Sequence, residues 1–369
     1  MIINNLKLQN FRCFSDLQLS FNDKIIVLQG DNGSGKTSIL ESLYYACYLR
    51  SFRTRTKSEL VSFAKDHFFI QVDFQEQDLA FGQIQIGFSS NTQKSVKLNK
   101  KSVNNFKEII SRYKVIALSE DDLQLIIGAP EVRRAYLNQS LFLISPDLID
   151  YFKEYKKNLD QRNKFLFLNS KNKIISAKSK EELYSWTKQL WEKSVFLQEK
   201  RELFLKQVED NVNLLLNKYF KIYDPELSIE LVYNKKNMLE PFDSFWQYYE
   251  TKLLEGELRF QRSLFGIHLD DFSINFKKKK ARFFASRGQQ KLVLFLLKIV
   301  QLLQIQGFEP GVLLLDDFIT DFDINRLSGA ISLLKDQEFQ TIISCPIDSF
   351  FEKRIDSKIF HIMLKNPVI

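Results

Sequence analysis

Gly30-Asp31-Asn32-Gly33-Ser34-Gly35-Lys36-Thr37, followed by Ser38, fits the pattern GxxxxGK[ST]. Only 12 of the 369 residues are glycine, so a chance match anywhere in the chain is roughly a one-in-two-hundred event. The chemistry implied is phosphate binding. Gly30, Gly33 and Gly35 let successive N–H groups curl around phosphate oxygens, with Asp31, Asn32, Ser34 and Ser38 completing the cradle. Lys36 is placed to reach the β- and γ-phosphates of ATP, and the Thr37 hydroxyl to hold Mg²⁺. Such a loop needs a carboxylate at the end of a neighbouring strand, and Gly311-Val312-Leu313-Leu314-Leu315-Asp316-Asp317 supplies one. Asp316 would organise Mg²⁺ through its water shell, and Asp317 would polarise the attacking water as general base. Glutamate is commoner at the second position, so the shorter aspartate predicts slow hydrolysis.

These residues must be delivered by strands and helices far apart in the chain. Ile25-Ile26-Val27-Leu28 is a short buried run that enters the loop, and an apolar-periodic helix (Ile39, Leu40, Leu43) leaves it. Period-two segments at Leu6–Phe11, Phe68–Phe74, Ala80–Phe88 and Lys94–Leu98 read as strands. From Leu123 to Tyr223 the pattern is helical, with Leu190, Leu197, Phe204, Val208 and Leu215 on one core-facing stripe. Strand character returns at Phe272–Phe276 and Ala281–Phe284, with Lys277, Lys278, Lys279 and Lys280 between them as a hairpin tip. A long apolar helix, Gln289–Gln304, precedes the second carboxylate strand. Strand–helix units at both ends with a helical middle predict a discontinuous α/β ATPase lobe of mixed sheets carrying an inserted, mainly α-helical lobe. The expected divisions are 1–122, 123–258 and 259–369.

Lys36 and Asp316 stand 280 residues apart (316 − 36), too far for a compact kinase. Ala285-Ser286-Arg287-Gly288-Gln289-Gln290-Lys291 heads the long helix and matches the LSGGQ-type signature of ABC ATPases at Ser286, Gly288 and Gln289. Ser286 is a good N-cap, and the helix end offers free N–H groups and a positive dipole. In such ATPases that end faces the γ-phosphate held by a second subunit. Asp323, six residues after Asp317, has the spacing of the aspartate that crosses the dimer seam.

Composition narrows the class. Three scattered cysteines make no disulfide framework and point to a reducing cytosol, and three distant histidines make no zinc site. The longest apolar run, Leu292 to Val300, is broken by Lys298 and too short for a membrane span, and the amino terminus is no signal peptide. A cytoplasmic, non-membrane protein is expected. The 53 Lys and Arg exceed the 45 Asp and Glu by eight, which favours an anionic partner. Residues 151–180 hold nine basic and two acidic side chains (9 − 2 = +7). That segment is either a solvated helix face or a contact to DNA phosphates, through Lys171, Lys173, Lys178 and Lys180. The Lys277–Lys280 run is a second candidate.

An ordered set of motifs resembles RecF, the bacterial DNA replication and repair family whose head is related to SMC and Rad50 ATPases. It comprises Leu8-Gln9-Asn10-Phe11-Arg12, the phosphate loop, Arg50-Ser51-Phe52-Arg53, Glu120-Asp121-Asp122-Leu123 and the segment Gly128–Arg134. Leu159–Asn163, Gly266–Asp271, the signature and the Leu-Leu-Leu-Asp-Asp strand complete it, so nearly the whole chain is covered. The resemblance implies an ATP-dependent homodimer on double-stranded DNA near single-strand gaps, associated with the bacterial nucleoid. It implies work with RecR and RecO in loading RecA onto gaps coated by single-strand-binding protein. The chain departs from the family pattern in several places. Ile267 and Leu269 flank His268 where proline and arginine are usual, and Asn138 replaces an aspartate. The seam loop reads Thr320-Asp321-Phe322-Asp323, and no glycine follows Ile359-Phe360-His361-Ile362. Ser344-Cys345 occupies the place of the ABC switch histidine, and Glu120 and Gln124 are the candidates for its glutamine loop. A small-molecule kinase, a transporter ATPase and a Rad50-like nuclease partner are the competing readings. The signature and the 280-residue separation argue against the first, the basic insert against the second, and the shortness of the insert against the third.

Overall fold

The computed structural model describes all residues except 76–80, 90–91, 104–106, 171–175, 306–310, 319–321, 347–359 and 365–369. Lys171, Lys173, Thr320, Asp321 and Ile359 therefore lie outside the described residues. The chain divides into two compact units: Met1–Leu123, Asn211–Leu227 and Ala285–Ile369 form the first, and Gln124–Asp210 with Ser228–Phe284 the second. The insert thus runs to Phe284, where the sequence suggested 258. The strand Asp271–Phe276 pairs with Ile229–Asn234 inside the insert, and strand pairing is invisible to periodicity.

The first unit contains two sheets. One is five-stranded and wholly parallel, in the order β14-β3-β13-β12-β8. Its strands are β3 (Ile25–Gln29), β8 (Val115–Leu118), β12 (Val312–Asp316), β13 (Gln340–Cys345) and β14 (Phe360–Met363). β3, β8 and β13 are buried at every residue, and Ile25–Leu28 and Val115–Leu118 accordingly read as unbroken apolar runs and not as alternations. The second sheet is antiparallel, in the order β2-β1-β4-β5-β6-β7. It comprises β1 (Ile2–Phe11), β2 (Phe14–Ser20), β4 (His67–Gln75), β5 (Phe81–Ser89), β6 (Thr92–Leu98) and β7 (Lys101–Ser102). β4 alternates buried and part-buried along its length, as one packed face requires. The helix Lys36–Tyr48 packs against β1, β4 and β5 of one sheet and β8, β12 and β13 of the other. Lying between two sheets, it is buried at every residue except Thr37.

The second unit holds a three-stranded antiparallel sheet, β11-β10-β9, made of β9 (Ile229–Asn234), β10 (Asp271–Phe276) and β11 (Lys279–Lys280). Ala281–Phe284, expected as a strand, is instead a single helical turn. Only Ala281 of that turn is buried, so the apolar pair Phe283-Phe284 reflects exposure and not a strand face. The helices Pro130–Ile144 and Leu148–Asn169 precede a 43-residue helix, Ala177–Tyr219, whose end from Asn211 onward belongs to the first unit. Leu190, Leu197, Phe204 and Val208 form its buried stripe as expected, but the stripe then passes to Val212 and Leu216 and leaves Leu215 part-exposed. Phe242, Phe245, Tyr249 and Phe265 pack with Leu190 and Leu197 in the unit's core. Buried inside it, Arg162 bridges Glu257 at 2.6 Å and faces the rings of Phe265 and Tyr249 at 4.8 and 5.2 Å. One of the nine cations of the 151–180 segment is therefore internal, and the surface charge there is smaller than the sequence count.

Candidate nucleotide site

The phosphate loop leaves the carboxyl end of β3 and turns directly into the helix beginning at Lys36, so the first-turn N–H groups point at one spot. Gly35 sits at φ 91°, and a Cβ there would strike the ring of Phe14; glycine is required on both counts. Asn32, Gly33, Gly35, Lys36, Thr37 and Ser38 line a cavity of about 530 Å³. Asp317, Arg12, Cys13 and Arg53 complete its wall.

Parallel pairing of β12 with β13, and of β13 with β3, brings the carboxylates to the same end of the sheet as the loop. The Thr37 hydroxyl donates to Asp316 Oδ1 at 2.8 Å, across 279 residues of sequence. Ser344, at the end of β13, donates to the same oxygen at 2.8 Å and accepts from the Asp317 N–H at 2.9 Å. Ser344 thus ties the two aspartates together. Asp317 itself is held at φ 50°, a left-handed conformation costly for a residue with a Cβ. Burial raises the pKa of both carboxyls. For Asp316 the hydrogen bonds from Ser344 and Thr37 oppose it; for Asp317 the neighbouring Asp316 charge reinforces it and Lys36 opposes it. Hard oxygen donors, a hydroxyl and a carboxylate 2.8 Å apart, suit Mg²⁺.

Sequence reading missed Glu41. It is fully buried on the helix Lys36–Tyr48 and takes both arms of the Arg12 guanidinium at 2.7 and 2.8 Å. Arg53 approaches it at 3.6 Å, and the Ser51 hydroxyl donates to it. Glu41 therefore anchors the two arginines that line the cavity. An acid inside the apolar stretch Ile39–Leu43 was the available signal.

The signature helix spans Arg287–Ile305 and packs on β8 and β12. Ser286 and Gln289 make a reciprocal capping box: the Ser286 N–H donates to Gln289 Oε1 at 2.8 Å and the Gln289 N–H to Ser286 Oγ at 3.4 Å. Glu120 pairs with both Arg287 and buried Lys291. Neither Ser286, Gly288 nor Gln289 lines the cavity around Lys36. Asp323 caps the helix Ile324–Asp336, accepting from the Arg326 N–H at 2.9 Å. Lys178, Lys180, Lys278, Lys279 and Lys280 are exposed, and Lys277 is part-buried.

The model of the AAA domain matches residues 5–240, more than half of the chain. The chain belongs to the AAA domain family. The resemblance to RecF is borne out over almost the full length. The DNA replication and repair protein RecF of Natranaerobius thermophilus is 28% identical over 95% of this chain and 92% of its own length. That of Clostridium botulinum strain Alaska E43 is 29% identical over 98% of both. Among solved structures, the recombination mediator protein RecF with ATP in the RecFOR pathway superposes with a TM-score of 0.80 at 22% identity, covering 100% of this chain and 96% of that one. The Smc head domain of Pyrococcus furiosus matches with a TM-score of 0.57 at 16% identity, covering 100% and 94%. The fold is that of an ABC-type ATPase head.

Among the described residues no group of three or more His, Cys, Asp or Glu side chains, His268, Asp270 and Asp271 included, is placed to hold a metal ion. His268 Nδ1 meets the Tyr155 hydroxyl at 2.7 Å. Asp270 is fully buried and accepts from Gln198, Tyr233 and the Lys236 N–H at 2.7–2.8 Å. Asn138 Oδ1 accepts a hydrogen bond from Arg201 at 2.8 Å. Among the described residues no helix is long and apolar enough to cross a membrane.

Proposed function

We propose that this chain is an ATP-dependent DNA-binding protein of recombinational repair and replication restart. ATP binding joins two copies on double-stranded DNA near single-strand gaps, and slow hydrolysis, stimulated by DNA, resets the dimer. With partners of the RecO and RecR kind it helps load RecA, in the bacterial cytoplasm at the nucleoid. The single observation that carries the nucleotide chemistry is the Thr37–Asp316 contact at 2.8 Å, beside a loop whose Lys36 lines the same cavity as Asp317.

In this reading the loop N–H groups and Lys36 bind the triphosphate, and Asp317 takes the proton of the attacking water. Thr37 and Asp316 would hold Mg²⁺, which when bound supplies charge neutralisation at the β- and γ-phosphates. Burial and the charge of Asp316 make Asp317 a stronger base than an exposed aspartate. Its short side chain, and serine in place of the switch histidine, support slow turnover. Ser286, Gly288, Gln289 and Asp323 complete the site of a second copy, since none of the four lines the cavity on its own chain. The surplus of eight positive charges supports a polyanionic partner.

Light scattering tests the whole reading. Mass should double with ATP but not with ADP, and DNA should sharpen the transition. DNA affinity should fall log-linearly with salt as counterions are released. A chain that stays monomeric with ATP and DNA present, or a flat salt profile, overturns it.

A further inference from the structure

The hairpin β10–β11 and the helical turn after it form a surface that the nucleotide chemistry does not use. β10 and β11 pair Phe276 with Lys279 and Asn275 with Lys280, leaving Lys277 and Lys278 as a two-residue turn. Both turn residues have positive φ, 49° and 62°, the geometry that Asn-Gly adopts cheaply. Lysine in such a position costs roughly 1–2 kcal/mol per residue. With Arg282 the stretch carries five cations in six residues. Lys278, Lys279, Lys280 and Arg282 are exposed, and among the described residues no ion pair neutralises them.

Two aromatic rings stand in this cationic surface. Phe283 and Phe284 are 69% and 68% exposed, a poor place for adjacent phenylalanines unless something covers them. The Arg282 guanidinium lies 5.5 Å from the Phe283 ring centre, and the Lys279 ammonium 5.8 Å from that of Phe284. Beside Phe283 opens a cavity of about 240 Å³ lined by Arg133, Asp271, Ser273, Lys280, Arg282 and Phe283. Its volume is below the roughly 300–1,000 Å³ of a whole-ligand site, so it suits a single ring system with the remainder of the molecule outside. Its polar wall is fixed, because Arg133 is buried and grips Asp271 with two hydrogen bonds of 2.7 and 2.9 Å.

We propose that this surface binds single-stranded DNA, receiving an unpaired base against Phe283 and Phe284 while the cations of the hairpin and Arg282 hold the adjoining phosphates. Exposed rings within a field of lysines and arginine match what single strands need: a π-face for each base and positive charge along the backbone. A duplex offers no free base face, so the rings discriminate unpaired from paired DNA. The inference deepens the DNA-binding reading and rests on it, by naming the strand that the insert touches at a gap.

The full chain with ATP is titrated onto a blunt duplex and onto the same duplex with a single-stranded flank, 2-aminopurine being placed in the flank or in the duplex. The wild type should change the fluorescence of the flank probe only. The pair Phe283→Ala/Phe284→Ala should lose that signal and roughly tenfold in affinity for flanked DNA, the scale of one base–aromatic stack, with blunt-duplex affinity unchanged. Phe283→Leu/Phe284→Leu should behave like the alanine pair, and Phe283→Trp/Phe284→Trp like the wild type. Unchanged circular dichroism and ATP affinity show that each variant is folded. A leucine pair as good as wild type overturns the proposal, since the rings would then serve only as apolar surface. Loss of ATP-driven dimerisation without DNA in the alanine pair overturns it in favour of a second copy. Equal wild-type binding to flanked and blunt DNA overturns it while leaving duplex binding intact. Failure to bind either DNA removes the underlying reading as well.

Discussion

Lys36 turns its ammonium onto the carbonyl oxygens of Gly30 at 2.7 Å and Asp31 at 3.0 Å, within its own loop. Those bonds keep a buried cation satisfied until phosphate oxygens replace them. Lys36→Ala should therefore weaken ATP binding more than tenfold by calorimetry. Lys36→Arg should keep some binding and lose turnover, because a planar fork fits poorly where a point charge is needed. Equal affinity in Lys36→Ala and wild type would remove the phosphate-loop assignment. His268 gives a different kind of test. Burial lowers its pKa to about 4 from the usual 6.5, so between those values the unfolded chain binds the proton and the folded chain does not. Stability should then fall as pH drops from 6.5 towards 4, by up to roughly 3 kcal/mol at 1.36 kcal/mol per unit. In His268→Gln that part of the pH dependence should vanish from denaturant midpoints. An unchanged slope would mean that the imidazole is already charged when folded.

The head of the signature helix caps its own helix and, in the proposed dimer, faces the site of a second copy, two roles that separate experimentally. As a capping box it stabilises its own helix, so Ser286→Ala should cost about 1 kcal/mol and lower the melting temperature. ATP affinity of the same chain should not change, since Ser286 is absent from the cavity around Lys36. The turn of the β10–β11 hairpin runs the opposite way. Lys277→Asn with Lys278→Gly relieves two left-handed residues and should raise stability by about 1 kcal/mol, read from the melting temperature. A loss of stability there would mean that the lysine stems contribute packing that outweighs the backbone strain. The one-turn helix Ala281–Phe284 shows why this region was misread: Phe283-Phe284 carries strand propensity, but no strand partner extends past Lys280.

At the scale of the molecule the question is whether one chain completes a site. Ser286→Arg, with its own loop intact, should bind ATP yet stay monomeric and inactive. Mixed with Lys36→Ala it should recover part of the ATPase activity. The heterodimer pairs an intact loop with an intact signature at one site and gathers both lesions at the other. Dimerisation of Ser286→Arg with ATP like the wild type would refute a site shared between copies and leave a well-capped helix.

The sequence by itself determined the motifs whose chemistry is local. The phosphate loop, the Asp316-Asp317 pair and the signature cap are each short, and their glycines, apolar runs and capping residues act within a few residues of one another. It also determined the discontinuous α/β organisation, because buried parallel strands need unbroken apolar runs and helices need a 3.6-residue period. Everything that depends on contacts across long separations was left to the tertiary structure. The Thr37–Asp316 contact spans 279 residues and follows from the strand order β3-β13-β12, which no spacing rule encodes. Glu41 looks like a stray acid in an apolar helix until Arg12, Ser51 and Arg53 converge on it. The boundary at Phe284 depends on β10 pairing with β9 and β11, and the role of Arg162 on its burial against Glu257. Local preferences are written residue by residue, whereas partners and burial are properties of the folded chain as a whole.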